Sequence, residues 1–146
     1  MFRLPRGSDR FVSAELSEPL KKALDSLVFG VVATTDPDGR PHQSVVWVRR
    51  EGSDVLFSIT RGSRKERNIL RDPRVSVLIS PADSPYTYAA IRGTAHFEDV
   101  PDPGAYLDTF SIKYHGVPYR ESFPEPPEVS TILAVRLVPT SVYEQW

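Results

Sequence analysis

Short runs of β-branched residues, separated by turn sequences, are the feature that most constrains how this 146-residue chain can fold. Residues 28–35 are almost free of charge, which is typical of a strand covered on both faces. The sequence Asp36-Pro-Asp-Gly39 follows, with proline and glycine where a turn needs a fixed φ and a positive φ. Residues 41–49 and 54–60 repeat the strand pattern. We therefore predict a three-stranded antiparallel meander in this part of the chain.

The remaining patterns add further strands and a few short helices. Helical periodicity covers residues 14–27, with Ser13 as the expected cap, and also 61–72 and 103–114; strand patterns cover 75–80, 86–98 and 131–138, the last extended by 141–143. The stretch 115–129 holds four of the chain's 14 prolines and is predicted to be a loop. About six strands against two or three helices predict a mainly β fold. We expect a six-stranded antiparallel barrel with flanking helices, as one domain over residues 1–146.

The composition excludes several classes of protein. The chain has no cysteine, which removes disulfides, zinc–thiolate sites, iron–sulfur clusters and cysteine nucleophiles. Its formal net charge of -1 argues against a surface built to bind nucleic acid. No apolar run approaches the length of a membrane-spanning helix, and the first residues lack the apolar core of a signal peptide. We therefore expect a soluble cytoplasmic protein that acts without a membrane.

Positive charge is concentrated between residues 61 and 74. This segment holds six basic residues and two acidic ones, a net charge of +4 in a chain whose total is -1. Ser63 is the expected N-cap of its helix, and Glu66 three residues later completes a capping-box pattern. Unpaired N–H groups at a helix N-terminus, together with the helix dipole, favour an anion there. A solvated basic helix without a ligand is the alternative; nucleic-acid binding is a weaker one, because the rest of the chain is acidic.

A helical projection assigns roles to the side chains of this segment. Two residues are expected to face the core and three to face outward: Ile69 and Leu70, and Arg64, Arg67 and Arg71. Lys65 and Asn68 lie at the border between these faces, next to the predicted barrel wall. They are therefore the preferred candidates for contact with a phosphate group. Arg61 and Arg64 are placed to hold a second anionic group farther out.

No sequence motif identifies a catalytic residue. The three histidines, His42, His96 and His115, lie far apart and are not spaced as ligands, so no metal site is predicted. A Gly-x-Ser-x-Gly motif, a P-loop and a Gly-x-Gly-x-x-Gly fingerprint are all absent from the sequence. If the protein is an enzyme, a bound cofactor is expected to supply its chemistry.

Several segments together resemble a known family. They are residues 29–42, 44–47 and 58–60, the helix and turn at 64–74, the strand at 86–95, and the closing pair at 142–143. In these residues the chain is similar to the pyridoxamine 5'-phosphate oxidase-like split β-barrel flavoproteins, over residues 15–145. Within that superfamily it most resembles the short actinobacterial-type members that use the deazaflavin coenzyme F420. The resemblance implies a fold of the FMN-binding split-barrel type.

The resemblance also implies where a cofactor would bind. Family members are homodimers with two cofactor sites at the subunit interface. The cofactor phosphate would lie at Lys65, supported by Arg64 and Asn68. The ring system would lie along two strand segments: Ser44, Val45 and Val46, and Ser58, Ile59 and Thr60. Tyr86 and Tyr88 match a stretch that the partner subunit commonly contributes.

The function implied by the resemblance is that of an oxidoreductase. The sequence ends at Trp146 without the basic residues that relatives oxidising pyridoxamine phosphate carry there, so vitamin B6 oxidation is not expected. Arg61 and Arg64 suit an anionic tail such as the polyglutamate of coenzyme F420. We therefore predict a coenzyme F420-dependent reductase that transfers a hydride from reduced deazaflavin to a small organic acceptor. The alternatives are an FMN-binding oxidoreductase of the same family and a non-catalytic carrier of flavin, deazaflavin or haem. The acceptor, the proton donor and the role of residues 115–129 are left open.

Overall fold

The computed structural model describes residues 14–123 and 128–146. The helices in these residues are α1 (Glu18–Asp25), α2 (Arg64–Arg71), α3 (Pro103–His115) and α4 (Tyr119–Ser122), with one 3-10 turn at Val129–Thr131. The strands are β1 (Phe29–Thr35), β2 (Pro41–Trp47), β3 (Arg49–Glu51), β4 (Asp54–Thr60), β5 (Arg74–Ile79), β6 (Tyr88–Glu98) and β7 (Ile132–Gln145). No helix within these two ranges is long and apolar enough to cross a membrane.

All seven strands found in the described residues form one antiparallel sheet, in the order β2-β1-β5-β6-β7-β4-β3. The sheet curls around an apolar core, so the predicted mainly β fold, an antiparallel split barrel with flanking helices, is confirmed. There are seven strands instead of six because the chain leaves the sheet at Val48 and then forms the separate short strand β3. β7 continues through Pro139, which lies opposite Gly93 at a bulge, a position where proline is tolerated.

The predicted three-stranded meander is wrong. β1 pairs with β2, but β4 pairs with β7 and with the short β3. The strands part at Val48, whose N–H donates to the Tyr114 hydroxyl (3.0 Å) and whose carbonyl accepts from the Lys113 ammonium (2.7 Å). Because side chains of α3 hydrogen-bond to the N–H and the carbonyl of Val48, the chain can leave the β1 ladder without an unpaired polar group. The result is a split between β2 and β4.

The core fills the inside of the curled sheet. Inward-facing and outward-facing side chains alternate along the strands, and Val32, Phe57 and Leu137 are fully buried. These three residues come from β1, β4 and β7, so one cluster joins strands that are distant in the sequence. The core therefore holds both sides of the split at fixed positions.

The first helix is shorter than its apolar period predicts. It begins at Glu18 rather than at residue 14, because the Ser17 hydroxyl caps it by accepting from the Leu20 N–H (3.3 Å). Ser13, the predicted cap, lies outside the described residues. Leu20 and Leu24 pack into the core, as their four-residue spacing predicts.

The predicted loop over residues 115–129 is partly helical. α4 follows Pro118, and the Tyr119 N–H donates to the Asp108 carboxylate (2.9 Å), which ties α4 to α3. Residues 124–127 lie outside the described part of the chain. A proline at the start of a helix removes an N–H that has no helical partner in any case, so Pro118 permits this short helix.

Candidate functional site

The basic segment forms α2, which begins a few residues after β4. Ser63 is its N-cap, as predicted: the Ser63 hydroxyl accepts from the Glu66 N–H (3.3 Å). The Glu66 carboxylate reaches one residue farther back than in a standard capping box, to the Gly62 N–H (2.5 Å). Gly62 has a φ of 76°, a conformation that favours glycine. The helix therefore begins at Arg64 rather than at residue 61, and this turn fixes where its first side chains point.

Lys65, in the first turn of α2, reaches across to β2. Its ammonium donates to the Ser44 hydroxyl (2.9 Å), so the helix and the strand meet at this pair. The side chain is half-buried, and burial lowers the pKa of Lys65 below its usual range. No ion pair of the described residues includes Lys65. A cation held without a carboxylate partner is suited to bind an anion. We call Lys65, Ser44 and the neighbouring Arg64 the candidate anion site.

Asn68 is engaged within the protein. Its amide donates to the Thr34 hydroxyl (3.0 Å) and to the Asp36 carboxylate (3.0 Å), and its oxygen accepts from Arg71 (2.9 Å). The side chain is 1% exposed. Because both amide hydrogens are used, Asn68 joins α2 to the β1–β2 hairpin and has no donor left for a ligand. The hydrogen bond from the Asn68 amide to the Asp36 carboxylate, together with the positive charges of Arg64 and Arg71, holds the pKa of Asp36 below its usual range.

Leu70 does not face the core, contrary to the projection. It is 68% exposed, whereas Ile69 is 3% exposed. The stripe of α2 that packs on the barrel consists of Lys65, Asn68 and Ile69, which together span about 100° of the helix. Leu70 lies outside this stripe because the polar Asn68, rather than a second aliphatic residue, occupies the buried position.

Replacing Asn68 with alanine should lower the free energy of unfolding by about 2–3 kcal/mol. The change would leave the Thr34 hydroxyl and the Asp36 carboxylate without their shared donor. Urea unfolding measures the effect. Leu70→Ala, a truncation of an exposed side chain on the same helix, is the control and should cost less than about 0.5 kcal/mol. Equal costs for the two variants would contradict the bridging role of Asn68.

A cleft of about 550 Å³ lies beside the candidate anion site, between α2 and the turn that follows β1. Its charged lining consists of four arginines and two aspartates: Arg40, Arg64, Arg67 and Arg71, and Asp36 and Asp38. Arg40 pairs with Asp38 (3.0 Å), and Arg64 lies 3.9 Å from Asp36. Because arginines outnumber acids, this cleft suits a ligand with more than one negative group. We call it the arginine cleft. Arg61 is exposed but is not among the lining residues.

The two strand segments predicted to carry a cofactor ring lie on either side of the split. Val46 and Ile59 are buried and belong to the core cluster. Val45 is 66% exposed, Ser58 is half-buried and Thr60 is exposed, because side chains alternate along a strand. Val45, Ser58 and Thr60 are therefore accessible from outside the core, whereas Val46 and Ile59 support the strands from inside.

Tyr86 and Tyr88 lie farther along the sheet. Tyr86 is 85% exposed in the turn before β6, and Tyr88, the first residue of β6, packs on Tyr143 with ring centroids 5.9 Å apart. In the sheet, β1 and β5 separate β6 from β2. A single chain therefore does not bring these tyrosines to Lys65.

A pocket of aromatic residues, which was not predicted from the sequence, lies along the split. Its volume is about 320 Å³, and its walls include Phe29, Trp47, Tyr119 and Phe123. The rings of Trp47 and Phe123 are 6.2 Å apart and inclined by 25°, and Tyr114 also stacks on Trp47 (5.3 Å, 9°). We call it the aromatic pocket. The sequence contains one indication of an aromatic cluster. Aromatic residues recur at four-residue spacing, at 106, 110 and 114 and again at 119 and 123. That spacing does not show that some of them meet Trp47.

Comparison with known proteins places the chain in a family. The family model described as pyridoxamine 5'-phosphate oxidase matches residues 16–145. The chain belongs to this family. The resemblance found in the sequence is thereby confirmed, and the protein is a flavin-binding type of split barrel.

Solved structures agree with this assignment. One named F420 reductase is 31% identical, with a TM-score of 0.74, and the match covers 89% of this chain and 100% of that one. A putative pyridoxamine 5'-phosphate oxidase from Listeria innocua is 20% identical, with a TM-score of 0.67 and coverage of 87% and 95%. A pyridoxamine 5'-phosphate oxidase-related, FMN-binding protein from Nostoc punctiforme is 17% identical, with a TM-score of 0.61 and coverage of 88% and 84%. The last two show a shared fold.

Proposed function

We propose that this protein is a coenzyme F420-dependent oxidoreductase, which passes a hydride from the reduced deazaflavin to a small organic acceptor. The observation that carries the proposal is the arginine cleft beside the candidate anion site. Arg64 belongs to both the candidate anion site and the cleft, and with the three further arginines of the cleft it provides more cations than a single phosphate needs. Similarity to a structure named F420 reductase, at 31% identity over 89% of the chain, supports the same cofactor.

Lys65 and Ser44 would hold the phosphate of the cofactor. Their ammonium and hydroxyl groups, 2.9 Å apart, can both donate to one phosphate. Hydrogen bonds from a charged donor are roughly twice as strong as neutral ones. Arg64 precedes Lys65 in the same helical turn and adds a second positive charge. Asn68 would act indirectly, by fixing α2 against the hairpin.

The arginine cleft would hold the glutamate tail of coenzyme F420. Guanidinium groups bind carboxylates in a planar, two-pronged geometry, and a chain of glutamates offers several carboxylates in succession. FMN ends in a single phosphate and would leave this cleft unused. Arg61, exposed outside the cleft, would extend the positive surface. The donor set therefore fits the deazaflavin cofactor better than FMN.

The protein's own part in the reaction is binding and orientation. When bound, the deazaflavin supplies the hydride chemistry. The exposed side chain of Val45 and the half-buried hydroxyl of Ser58, on the two sides of the split, would position the ring and exclude water from it. The proton for the reduced acceptor is taken from solvent in this scheme.

We also propose that the protein is a homodimer. One apolar row crosses the outer face of five neighbouring strands, its members directly opposite one another in register: Val45, Val31, Leu78, Ala90 and Tyr143. Val45 is 66%, Leu78 37% and Tyr143 57% exposed, so nothing in the described part of this chain covers the row. A second copy is the proposed occupant, because the row starts at Val45 beside the proposed cofactor site. The exposed Tyr86 would then reach the partner.

Sedimentation equilibrium tests the dimer. The wild-type protein should have twice the chain mass of 16.4 kDa. Leu78→Asp should be monomeric, because association would bury a carboxylate without a partner. Leu70→Asp changes an exposed leucine outside the row in the same way and should remain dimeric. A monomeric wild type, or equal behaviour of the two variants, would rule out this interface.

An FMN-binding oxidoreductase of the same family is the second candidate. The contact between Lys65 and Ser44 favours it equally, since that pair would bind the phosphate of FMN as well as that of a deazaflavin. The two candidates differ only in their use of the arginine cleft. If removing the glutamate tail of coenzyme F420 lowers its affinity for the protein, the first candidate is favoured over the FMN-binding one.

The deciding experiment titrates the protein separately with three oxidised cofactors and follows the fluorescence of each. The cofactors are coenzyme F420, the same deazaflavin phosphate without its glutamates, and FMN. We expect low-micromolar binding of coenzyme F420, with FMN at least about tenfold weaker. The form without glutamates should fall between them, because it keeps the phosphate but loses the cleft contacts.

Other results of this titration would favour a different function. Tight FMN binding with no effect of the glutamates would support the second candidate. Binding of none of the three would overturn the proposed site. Tight binding without turnover over a broad panel of acceptors would indicate a non-catalytic carrier.

A further inference from the structure

A groove of about 410 Å³ lies on the outer face of the sheet, where β5, β6 and β7 run side by side. Eleven described residues line it: five carry hydroxyl groups, two are arginines and none is acidic. The tip of the β1–β2 hairpin separates it from the arginine cleft, because Thr35 and Pro41 line the groove whereas Asp36 and Arg40 line the cleft. We call it the Arg92 groove. It differs from the arginine cleft in having hydroxyls where the cleft has carboxylates.

Arg92 is the available cation of this groove. Its side chain is exposed, and none of the ion pairs among the described residues includes it. Arg74, the other arginine, donates twice to the Asp72 carboxylate, at 2.7 Å and 3.0 Å, so its charge is already balanced. Asp72 does not line the groove. Within the described residues, the groove therefore has one guanidinium group that is free to bind an anion.

Two hydroxyl groups flank Arg92 in the register of the sheet. Ser76 on β5 and Ser141 on β7 both lie directly opposite Arg92 on β6. Side chains at directly opposite positions have Cβ atoms about 4.5–5.5 Å apart, so the three groups share one small area of the outer face. No hydrogen bond among the described residues uses the hydroxyl of Ser76 or of Ser141. Both hydroxyls are therefore available to a ligand.

A β-bulge brings a third hydroxyl to the same place. Arg92 pairs with Ser141 and Gly93 pairs with Pro139, so Thr140 is the extra residue of β7. Thr140 and Ser141 are both exposed, although successive side chains of a regular strand point to opposite faces. The Thr140 hydroxyl donates to the Arg92 carbonyl (3.3 Å), which ties the bulge to β6. Bulges re-aim side chains and are common beside functional sites, and this one places two hydroxyl-bearing residues next to Arg92.

We propose that the Arg92 groove is a second anion site, which binds the phosphate group of a small phosphorylated molecule. A guanidinium group binds phosphate through two parallel N–H bonds, and phosphate keeps a further terminal oxygen for other donors. The hydroxyls of Ser76 and Ser141, one on each side of Arg92, supply those donors. A carboxylate offers two oxygens in one plane, whereas donors from three neighbouring strands match a tetrahedral group better. The inference does not rest on the proposed function, because it uses none of the residues assigned to the cofactor.

The groove runs beside the apolar row proposed as the dimer interface. Ser76 lies two residues from Leu78 on β5, and Arg92 lies two residues from Ala90 on β6, so both pairs share the outer face. Two residues of a strand span about 7 Å, so a second copy seated on the row would leave the groove at the edge of the interface. An acidic side chain of that copy is the alternative occupant, and the experiment separates it from a small molecule.

An NMR titration of the isotope-labelled full chain with glycerol 3-phosphate tests the site, with uncharged glycerol as the matched control. The amide signals of Ser76, Gly93 and Ser141 report on the groove. Those of α2 report separately on the candidate anion site and the arginine cleft. We expect saturable shifts of the groove signals with glycerol 3-phosphate and none with glycerol, because the guanidinium group selects the charged probe.

Arg92→Gln removes the free positive charge of the groove and should weaken binding at these three signals by at least about tenfold. Arg120→Gln is the control, since it removes the same charge from an exposed position on α4 that does not line the groove. It should change this affinity by less than about twofold. Both side chains are exposed, so both variants should keep the wild-type spectrum away from the substituted residue.

The remaining results would each decide the matter. Groove shifts that do not saturate, or that are equal in the wild type and Arg92→Gln, would overturn the inference. So would loss of these shifts in the presence of saturating coenzyme F420, because the cofactor would then extend into the groove. A dimer that becomes monomeric in Arg92→Gln would also overturn it, because Arg92 would then contact the second copy. Groove binding in a protein that binds no cofactor would remove the proposed function and leave the second anion site standing.

Discussion

Replacing Gly93 with alanine should lower the free energy of unfolding by about 3 kcal/mol or more. A Cβ at Gly93 would lie 2.1 Å from the carbonyl oxygen of Val138 and 2.8 Å from its carbonyl carbon. These are backbone atoms of β7, so no side-chain rotation can relieve the contact. β6 and β7 would have to separate at the bulge where Gly93 faces Pro139, within the longest pairing of the sheet.

Gly104→Ala is the matched control for this prediction. The nearest atom to a Cβ at Gly104 is a carboxylate oxygen of Asp102, at 3.4 Å, and the residue lies in α3. Alanine has the higher helix propensity, so Gly104→Ala should be neutral or stabilise the protein by up to about 1 kcal/mol. Urea unfolding of both variants measures the difference. A loss below about 1 kcal/mol for Gly93→Ala would show that the two strands have room to move apart.

The β1–β2 hairpin shows what local sequence can determine. Its strands pair from Thr35 with Pro41 to Phe29 with Trp47, close to the predicted limits, and Gly39 takes the expected positive φ of 88°. The Ser63 cap of α2 is a second correct prediction of this kind. In both cases the outcome depends on the conformational preferences of residues within one turn.

The partner of β4 depends instead on distant residues. Its alternating pattern predicts a strand, but the pattern contains no information about which strand lies beside it. Tyr114 and Lys113 hold Val48 outside the ladder, although they lie 66 and 65 residues away in the sequence. No local signal near Val48 could have shown that the predicted meander ends there.

In the candidate site, too, some features depend on local geometry and others depend on residues distant in the sequence. The projection of α2 placed Lys65 correctly at the border of the barrel, because that position depends only on helical geometry. The same projection placed Asn68 beside Lys65, but helical geometry alone could not show that its amide hydrogens are taken by Thr34 and Asp36. Tertiary partners decided which polar residue of the helix is free to meet a ligand.

Replacing Lys65 with alanine should weaken the binding of coenzyme F420 and of FMN by about tenfold to a hundredfold. This corresponds to the loss of one charge-assisted contact, about 1.5–3 kcal/mol. Lys65 is half-buried and donates to Ser44 across the split, whereas the neighbouring Arg64 is exposed, so Lys65 is the cation of the proposed site that is held against the barrel. Fluorescence titration with each cofactor measures the change.

Two further variants make this test specific. Lys22→Ala removes the same charge from an exposed position on α1 and should leave both affinities within about twofold. Arg64→Ala should weaken the binding of coenzyme F420 more than that of FMN, because Arg64 lines the arginine cleft as well as the anion site. An affinity for Lys65→Ala within about twofold of the wild type would show that the phosphate binds elsewhere.

The pH dependence of binding follows from the same lysine. Burial lowers the pKa of Lys65 in the free protein, whereas a bound phosphate would stabilise the ammonium and raise that pKa. Binding therefore takes up a proton at alkaline pH, and the affinity should fall as the pH rises through the lowered pKa of the free protein. Lys65→Ala should lose this dependence, while Lys22→Ala should keep it. An affinity that stays constant with alkaline pH in the wild-type protein would mean that Lys65 does not meet the anion, even if the alanine variant binds weakly for structural reasons.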